Sequence, residues 1–173
     1  YLVGSDYVFP RTSNDIVKAY AAANGIEILG EDYVPLDSTN FSTIVNKIRS
    51  AGADAVFNVV VGGSLTAFFR EYNSARLTTE VMPVMSMCVG EEEVRSIGAA
   101  GLVGQLSSWN YYQTLDTPAN NAFVADFKER FGADRVTSDP MESAYTAVLL
   151  WKATVEKADS FEVADIQEAS GGV

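Results

Sequence analysis

The run Ala55-Val56-Phe57-Asn58-Val59-Val60-Val61 constrains this chain more than any other stretch. It is apolar except for Asn58, rich in β-branched residues, and followed at once by Gly62-Gly63-Ser64. A strand with one wet face alternates apolar and polar residues, whereas a nearly continuous apolar run is what a parallel strand covered on both faces requires. The run is also far shorter than the ~20 residues that span a bilayer. Parallel strands cannot be joined by tight hairpins, so helices must lie between this strand and its neighbours.

The flanking sequence supplies those helices and further strands. Leu2-Val3-Gly4-Ser5-Asp6 reads as the carboxyl end of a buried strand. Pro10 then opens a helical pattern through Ile16, Val17 and Tyr20 that stops at Asn24-Gly25. Strand character returns from Ile26 to Val34, and Asp37-Ser38-Thr39-Asn40 offers caps for a helix carrying Phe41, Ile44, Val45 and Ile48. Beyond the apolar run, Leu65, Phe68, Phe69 and Tyr72 form another helical stripe. Pro83 to Met87 is a fourth strand, and Glu91-Glu92-Glu93 begins a short helix with acids at its positive end. Leu102 to Leu106 starts a fifth strand. This order predicts an α/β fold, a three-layer αβα Rossmann-like parallel sheet with right-handed crossovers.

After Tyr112 the strands cease. Thr117-Pro118 opens a helix whose Phe123, Phe127 and Phe131 read as core. Asp139-Pro140 opens a longer helix to about Ala158, and a third begins near Glu162. Successive helices without strands either cap the sheet or belong to a neighbouring body. The boundary is expected between Ser108 and Tyr112. Both ends read as cut, with Tyr1 at the start and Ser170-Gly171-Gly172-Val173 closing just after a helical pattern begins.

Composition removes several functional classes. The formal charge is −11, which disfavours a nucleic-acid partner, and no basic amphipathic stretch or long apolar span points to membrane insertion. There is no His, hence neither the commonest metal ligand nor the commonest general base. The single Cys, Cys88, permits no internal disulfide. Neither a dinucleotide glycine fingerprint nor a phosphate loop follows any strand, so no cofactor is expected.

Open parallel sheets bind ligands at the carboxyl ends of their strands. The candidate segments there are Asp6-Tyr7, Val61-Gly62-Gly63-Ser64, Met87-Cys88-Val89-Gly90 and Trp109-Asn110-Tyr111. Gly62 and Gly63 admit close approach, and the helix start after them offers N–H groups to a carbonyl or anion. The same glycines also serve simply to turn strand into helix. Tyr7 places a phenol either in a cleft or in a structural hydrogen bond. Cys88 lacks any His to activate it and lies before three acids, which favours a lining role over a nucleophilic one. Of the adjacent aromatics Trp109, Tyr111 and Tyr112, at least one is expected to meet a ligand or another domain.

These residues carry a family resemblance. Gly4-Ser5-Asp6-Tyr7-Val8-Phe9-Pro10-Arg11-Thr12-Ser13-Asn14 resembles the opening of the second lobe in urea- and short-chain-amide-binding proteins. These are type I periplasmic substrate-binding proteins of ABC transporters, related to the branched-chain amino acid binders. The likeness continues through Asn46-Lys47-Ile48, Val84-Met85-Ser86, Glu91 to Arg95, Trp109-Asn110-Tyr111, Asp116-Thr117-Pro118 and Asp134 to Glu142. It implies two lobes that close on a ligand. Residues 1–108 would form the second lobe, 109–112 the hinge crossover, and 113–173 a helical return to the first. Tyr7, Val61, Gly62, Gly63, Cys88 and Glu91 would line the ligand, and Trp109, Asn110 and Tyr111 the hinge. Cys88 stands where relatives often carry Ser or Thr. Met87-Cys88-Val89 replaces the acid that holds an amino acid's ammonium, so the resemblance implies a small neutral solute, urea or a short amide. It further implies ABC permease partners and a periplasmic or cell-surface location, with a signal peptide ahead of Tyr1. A branched-chain amino acid receptor, a cytoplasmic amide sensor that regulates an amidase operon, and a Rossmann-like enzyme are the alternatives.

Overall fold

Five short parallel strands form one sheet in the computed structural model, which describes residues 1–173. They are β1 (Leu2–Ser5), β2 (Glu31–Val34), β3 (Val56–Val59), β4 (Val84–Ser86) and β5 (Leu106–Ser107), in the order β2-β1-β3-β4-β5. The helices α1 (Val8–Ala23), α2 (Ser42–Ala51), α3 (Gly63–Ser74) and α4 (Glu91–Ile97) alternate with them. The expected α/β architecture is therefore present. The chain moves outward from β1 in both directions, to β2 on one side and to β3 on the other, so β1 and β3 flank a switch point.

Register assigns the two faces. Leu2 pairs with Phe57, Phe57 with Met85 and Met85 with Leu106, a row along one face. Val3 pairs with Asn58, Asn58 with Ser86 and Ser86 with Ser107 along the other. On this second face Val3, Val56, Val60 and Val84 join Phe41, Ile44, Val45 and Ile48 around α2 and Leu65, Phe68, Phe69 and Tyr72 of α3 in one buried core. The Phe68 ring centroid lies 5.6 Å from Phe41 and 5.3 Å from Phe69, both edge-on, the arrangement aromatic quadrupoles favour. Tyr72 satisfies its buried hydroxyl by donating to the Met82 carbonyl at 2.6 Å. α1 lies on the first face. A Cβ on Gly4 would stand 2.8 Å from Pro10 Cβ, so the helix seats close over β1 only because position 4 is glycine.

Three element ends differ from the sequence reading, each for an identifiable reason. Strand β2 is Glu31–Val34 and not Ile26–Val34: its ladder runs from the Leu2–Glu31 pair to Ser5–Val34, and the Ile26 N–H is taken by the Ala21 carbonyl at the end of α1 at 2.9 Å. The apolar run pairs only over Val56–Val59. Past that point side chains replace the ladder: Val60 N–H donates to Asn58 Oδ1 at 3.1 Å and Val61 N–H to Ser5 Oγ at 3.1 Å. Strand β5 shrinks to two residues behind a 3-10 turn at Ala99–Gly101. Here Gln105 Oε1 accepts the Val84 N–H at 2.6 Å, so a side chain occupies the bond a longer strand would have made.

The molecule divides into two compact units, Tyr1–Asn110 and Tyr111–Val173. The second contains α5 (Pro118–Phe131), α6 (Asp139–Ala158) and α7 (Val163–Ala169). Thr117 Oγ1 caps α5 by accepting Asn120 N–H at 3.2 Å, and Pro118 sits in the first turn as expected. The aromatic stripe of α5 is not the core the spacing predicts. Phe131 is 55% exposed and Phe123 and Phe127 are only half-buried. Their rings pack on one another and on Tyr145, because the second unit contains no sheet to cover them.

Candidate functional site

The carboxyl ends of β1 and β3 are tied together by the hydrogen bond from Val61 N–H to Ser5 Oγ. This holds the Asp6-Tyr7 and Val61-Gly62-Gly63 loops side by side at the switch point. Gly62 has φ +62°, a conformation costly for residues with a Cβ. A Cβ built on Gly62 or Gly63 meets no atom within 4 Å, so the surface before α3 is open. The first N–H groups of a helix lack partners one turn back; in α3 the Leu65 N–H is taken by the Gly62 carbonyl at 3.0 Å, which leaves those of Gly63 and Ser64 at the positive end of the helix.

Tyr7 occupies the N-cap position of α1 and is half-buried. Burial, with the Cys88 thiol contributing, holds its phenol above the ordinary range, so it is a neutral hydroxyl that donates and accepts. The neighbouring Asp6 carboxylate is engaged by Arg11, whose Nε lies 2.7 Å away and whose guanidinium stacks 4.2 Å from the Tyr33 ring centroid. Cys88 is buried just past β4, and burial, with Glu93 adding to it, pushes the thiol up to about 12. That thiol stays protonated at neutral pH, which disfavours a nucleophilic role. Glu91 is the half-buried first residue of α4. Glu93 accepts the Gly90 N–H at 2.9 Å there, satisfying the N-cap donor of α4.

Tyr7, Val61, Gly62, Gly63, Cys88 and Glu91 thus all lie along one edge of one sheet, as their positions after strands require. Trp109 adjoins them, its indole nitrogen 3.7 Å from where a Gly90 Cβ would stand. Asn110 is exposed and ends the first unit. Tyr111 begins the second and is buried there, with its phenol donating to Asn120 Oδ1 at 2.8 Å and lying 2.7 Å from Thr137 Oγ1. Its N–H donates to Asp139 Oδ2 at 3.0 Å.

Sequence reasoning missed the buried polar line that shapes these tips: Ser5, Asn58 and Ser86. Asn58 Nδ2 donates to Ser86 Oγ at 3.0 Å while its Oδ1 takes the Val60 N–H. All three residues are essentially without exposure. The signal was available, since Asn58 alone breaks an apolar run and a buried amide there must have partners. No group of His, Cys, Asp and Glu side chains is arranged to hold a metal ion.

The open parallel sheet thus has glycine-opened loops at its switch point, the place where α/β sheets of this kind take their ligands. The chain belongs to the periplasmic binding protein domain family, whose profile matches residues 1–173. Leu/Ile/Val-binding protein homolog 6 of Brucella abortus is 27% identical over 146 residues, which are 83% of this chain and 37% of that protein. A solute-binding protein of an ABC transporter from R. palustris, crystallised with 4-hydroxybenzoate, superposes with a TM-score of 0.86 at 25% identity. That match covers 99% of this chain and 47% of the other. An amino acid ABC transporter substrate-binding protein from Pseudomonas fluorescens Pf-5 shares the fold at 22% identity and a TM-score of 0.82, over 98% of this chain and 44% of that one. The chain therefore spans less than half the length of these relatives.

Proposed function

We propose that this chain is the ligand-binding part of a solute receptor for an ABC importer, taking up a small neutral solute, urea or a short-chain amide, without catalysis. The observation that carries this reading is the chemistry of the strand tips. Asp6 is neutralised by Arg11, Cys88 is a protonated thiol in place of a charged group, and the α3 start offers N–H donors beside the Tyr7 hydroxyl. Donors of this kind suit a carbonyl oxygen, and a neutral phenol suits an amide N–H. Residues 1–108 would serve as the second lobe, 109–112 as the hinge and 113–173 as the return to the first. Ligand held by both lobes would favour the closed form, and a permease would read that closure. Such a receptor works in the periplasm or at the cell surface. No helix here is long and apolar enough to cross a membrane.

Calorimetric titration of the complete polypeptide with urea, acetamide, leucine and 4-hydroxybenzoate tests the reading. Binding of urea or acetamide, with leucine silent, is expected. Heat from leucine or 4-hydroxybenzoate alone would replace the amide reading with an amino acid or aromatic acid receptor. A cleavable secretion leader ahead of Tyr1 in the complete gene would separate the transporter receptor from a cytoplasmic amide sensor.

A further inference from the structure

Two of the loops at the strand tips are fastened by a serine from the strand beside them. The β1–β3 ladder runs from the Leu2–Phe57 pair to Gly4–Val59 and stops. The next residue of β1, Ser5, turns its hydroxyl to accept the Val61 N–H at 3.1 Å. The β4–β5 ladder ends at the Ser86–Ser107 pair, where the Ser107 hydroxyl donates to the Val89 carbonyl. In both places the residue held directly precedes the N-cap glycine of the next helix, Val61 before Gly62 of α3 and Val89 before Gly90 of α4. Asn58 braces the row between them, its Oδ1 taking the Val60 N–H and its Nδ2 reaching Ser86 Oγ.

Packing alone does not call for these hydroxyls. Ser5 is wholly buried, and a hydroxyl taken out of water is unfavourable until it is bonded. Alanine would occupy the same place without that cost. What each serine supplies is a partner for a backbone group that lies past the end of the ladder. Gly62 then turns at φ +62° and ψ −144°, a conformation open to glycine and kept only where its surroundings fix it. Gly63 and Ser64 follow at once, so the anchor on Val61 sets the direction of their N–H groups.

We propose that Ser5 and Ser107 are positioning residues of the ligand site, each acting through a backbone group and not on the ligand itself. Ser5 fixes the Val61–Gly62 turn and through it the donors that open α3. Ser107 fixes Val89 and Gly90, which stand between Cys88 and Glu91. The inference rests on the reading of the strand tips as the ligand site and does not depend on which solute they take.

The test uses the complete polypeptide and sets Ser5→Ala, Ser107→Ala and Ser5→Thr against Tyr72→Phe, which removes an equally buried hydroxyl at the far end of α3. Amide exchange over residues 61–64, followed by mass spectrometry, is expected to quicken about tenfold in Ser5→Ala, the factor one unmade hydrogen bond is worth, and to keep the parent rate in Tyr72→Phe. Calorimetry then follows whichever of urea, acetamide, leucine and 4-hydroxybenzoate the parent binds. Affinity about tenfold lower in each alanine variant, restored in Ser5→Thr and within about twofold of the parent in Tyr72→Phe is expected. Unchanged affinity in Ser5→Ala, or an equal loss in Tyr72→Phe, would overturn the proposal. If none of the four binds, the solute reading fails by itself and exchange decides: residues 61–64 exchanging at the parent rate in Ser5→Ala refute the positioning role, and faster exchange upholds it. Should Ser5→Ala fold poorly, Ser107→Ala gives the same comparison over residues 89–91.

Discussion

At the scale of single residues, burial decides chemistry that side-chain identity leaves open. A cysteine at a strand tip has the position of a nucleophile, but Cys88 is 6% exposed and its thiol is raised to about 12. The sign of the linkage follows. The folded value lies above the unfolded value of about 8.5, so the stabilisation is fully present below that pH and is lost as pH climbs toward 12. Native protein is expected to resist a disulfide reagent at pH 8 and to react fully in urea. The Cys88→Ala variant is expected to lose less stability than the parent between pH 8.5 and 10.5 in urea titrations. Rapid native labelling would place the thiol in solvent and remove the lining role. The sequence made legible that Cys88 is not an activated thiol, because no His exists to activate it and acids follow it. The side-chain partner of Asn58 was not legible, since Ser86 reaches it only through the sheet.

At the scale of elements, periodicity located each strand and helix but not their ends. An apolar pattern reports which residues seek a dry environment; it does not report whether a neighbouring strand is present to bond. Residues 26–29 stay out of β2, the Ile26 N–H being taken by the Ala21 carbonyl at the end of α1. Gln105 and Ser5 terminate pairing by substituting side-chain acceptors for backbone carbonyls. Close seating of α1 is likewise a tertiary matter. Gly4 lies mid-strand, where glycine is ordinarily unfavourable, and its worth is the space left for Pro10. Gly4→Ala is expected to destabilise the protein by about 1–3 kcal/mol, the usual cost of overpacking. Equilibrium urea denaturation measures this, and an unchanged midpoint would mean that α1 shifts at no cost.

At the scale of the whole molecule, each of the two units leaves large apolar side chains exposed. Helix α6 of the second unit leaves Tyr145, Leu149 and Trp151 roughly half exposed. A helix apolar over much of its circumference belongs in an interior. The residues of this chain alone are therefore expected to bind a hydrophobic dye strongly. If ligand is held by two lobes, they are also expected to bind it at least a hundredfold more weakly than the complete polypeptide. Comparative calorimetry checks the second point, and equal affinities would show that the strand tips of this sheet suffice as a site.

The sequence by itself determined the α/β alternation, the parallel sheet, the loops that carry the candidate site and the cessation of strands after Tyr112. These follow from local apolar spacing and from glycine, proline and capping residues, which act within a few positions along the chain. Tertiary structure alone decided which buried polar groups meet, where pairing stops, and that the phenylalanines of α5 pack on one another and on Tyr111 and Tyr145 while staying half-exposed. Each of those depends on what stands opposite a residue in space, and distance along the chain carries no record of it.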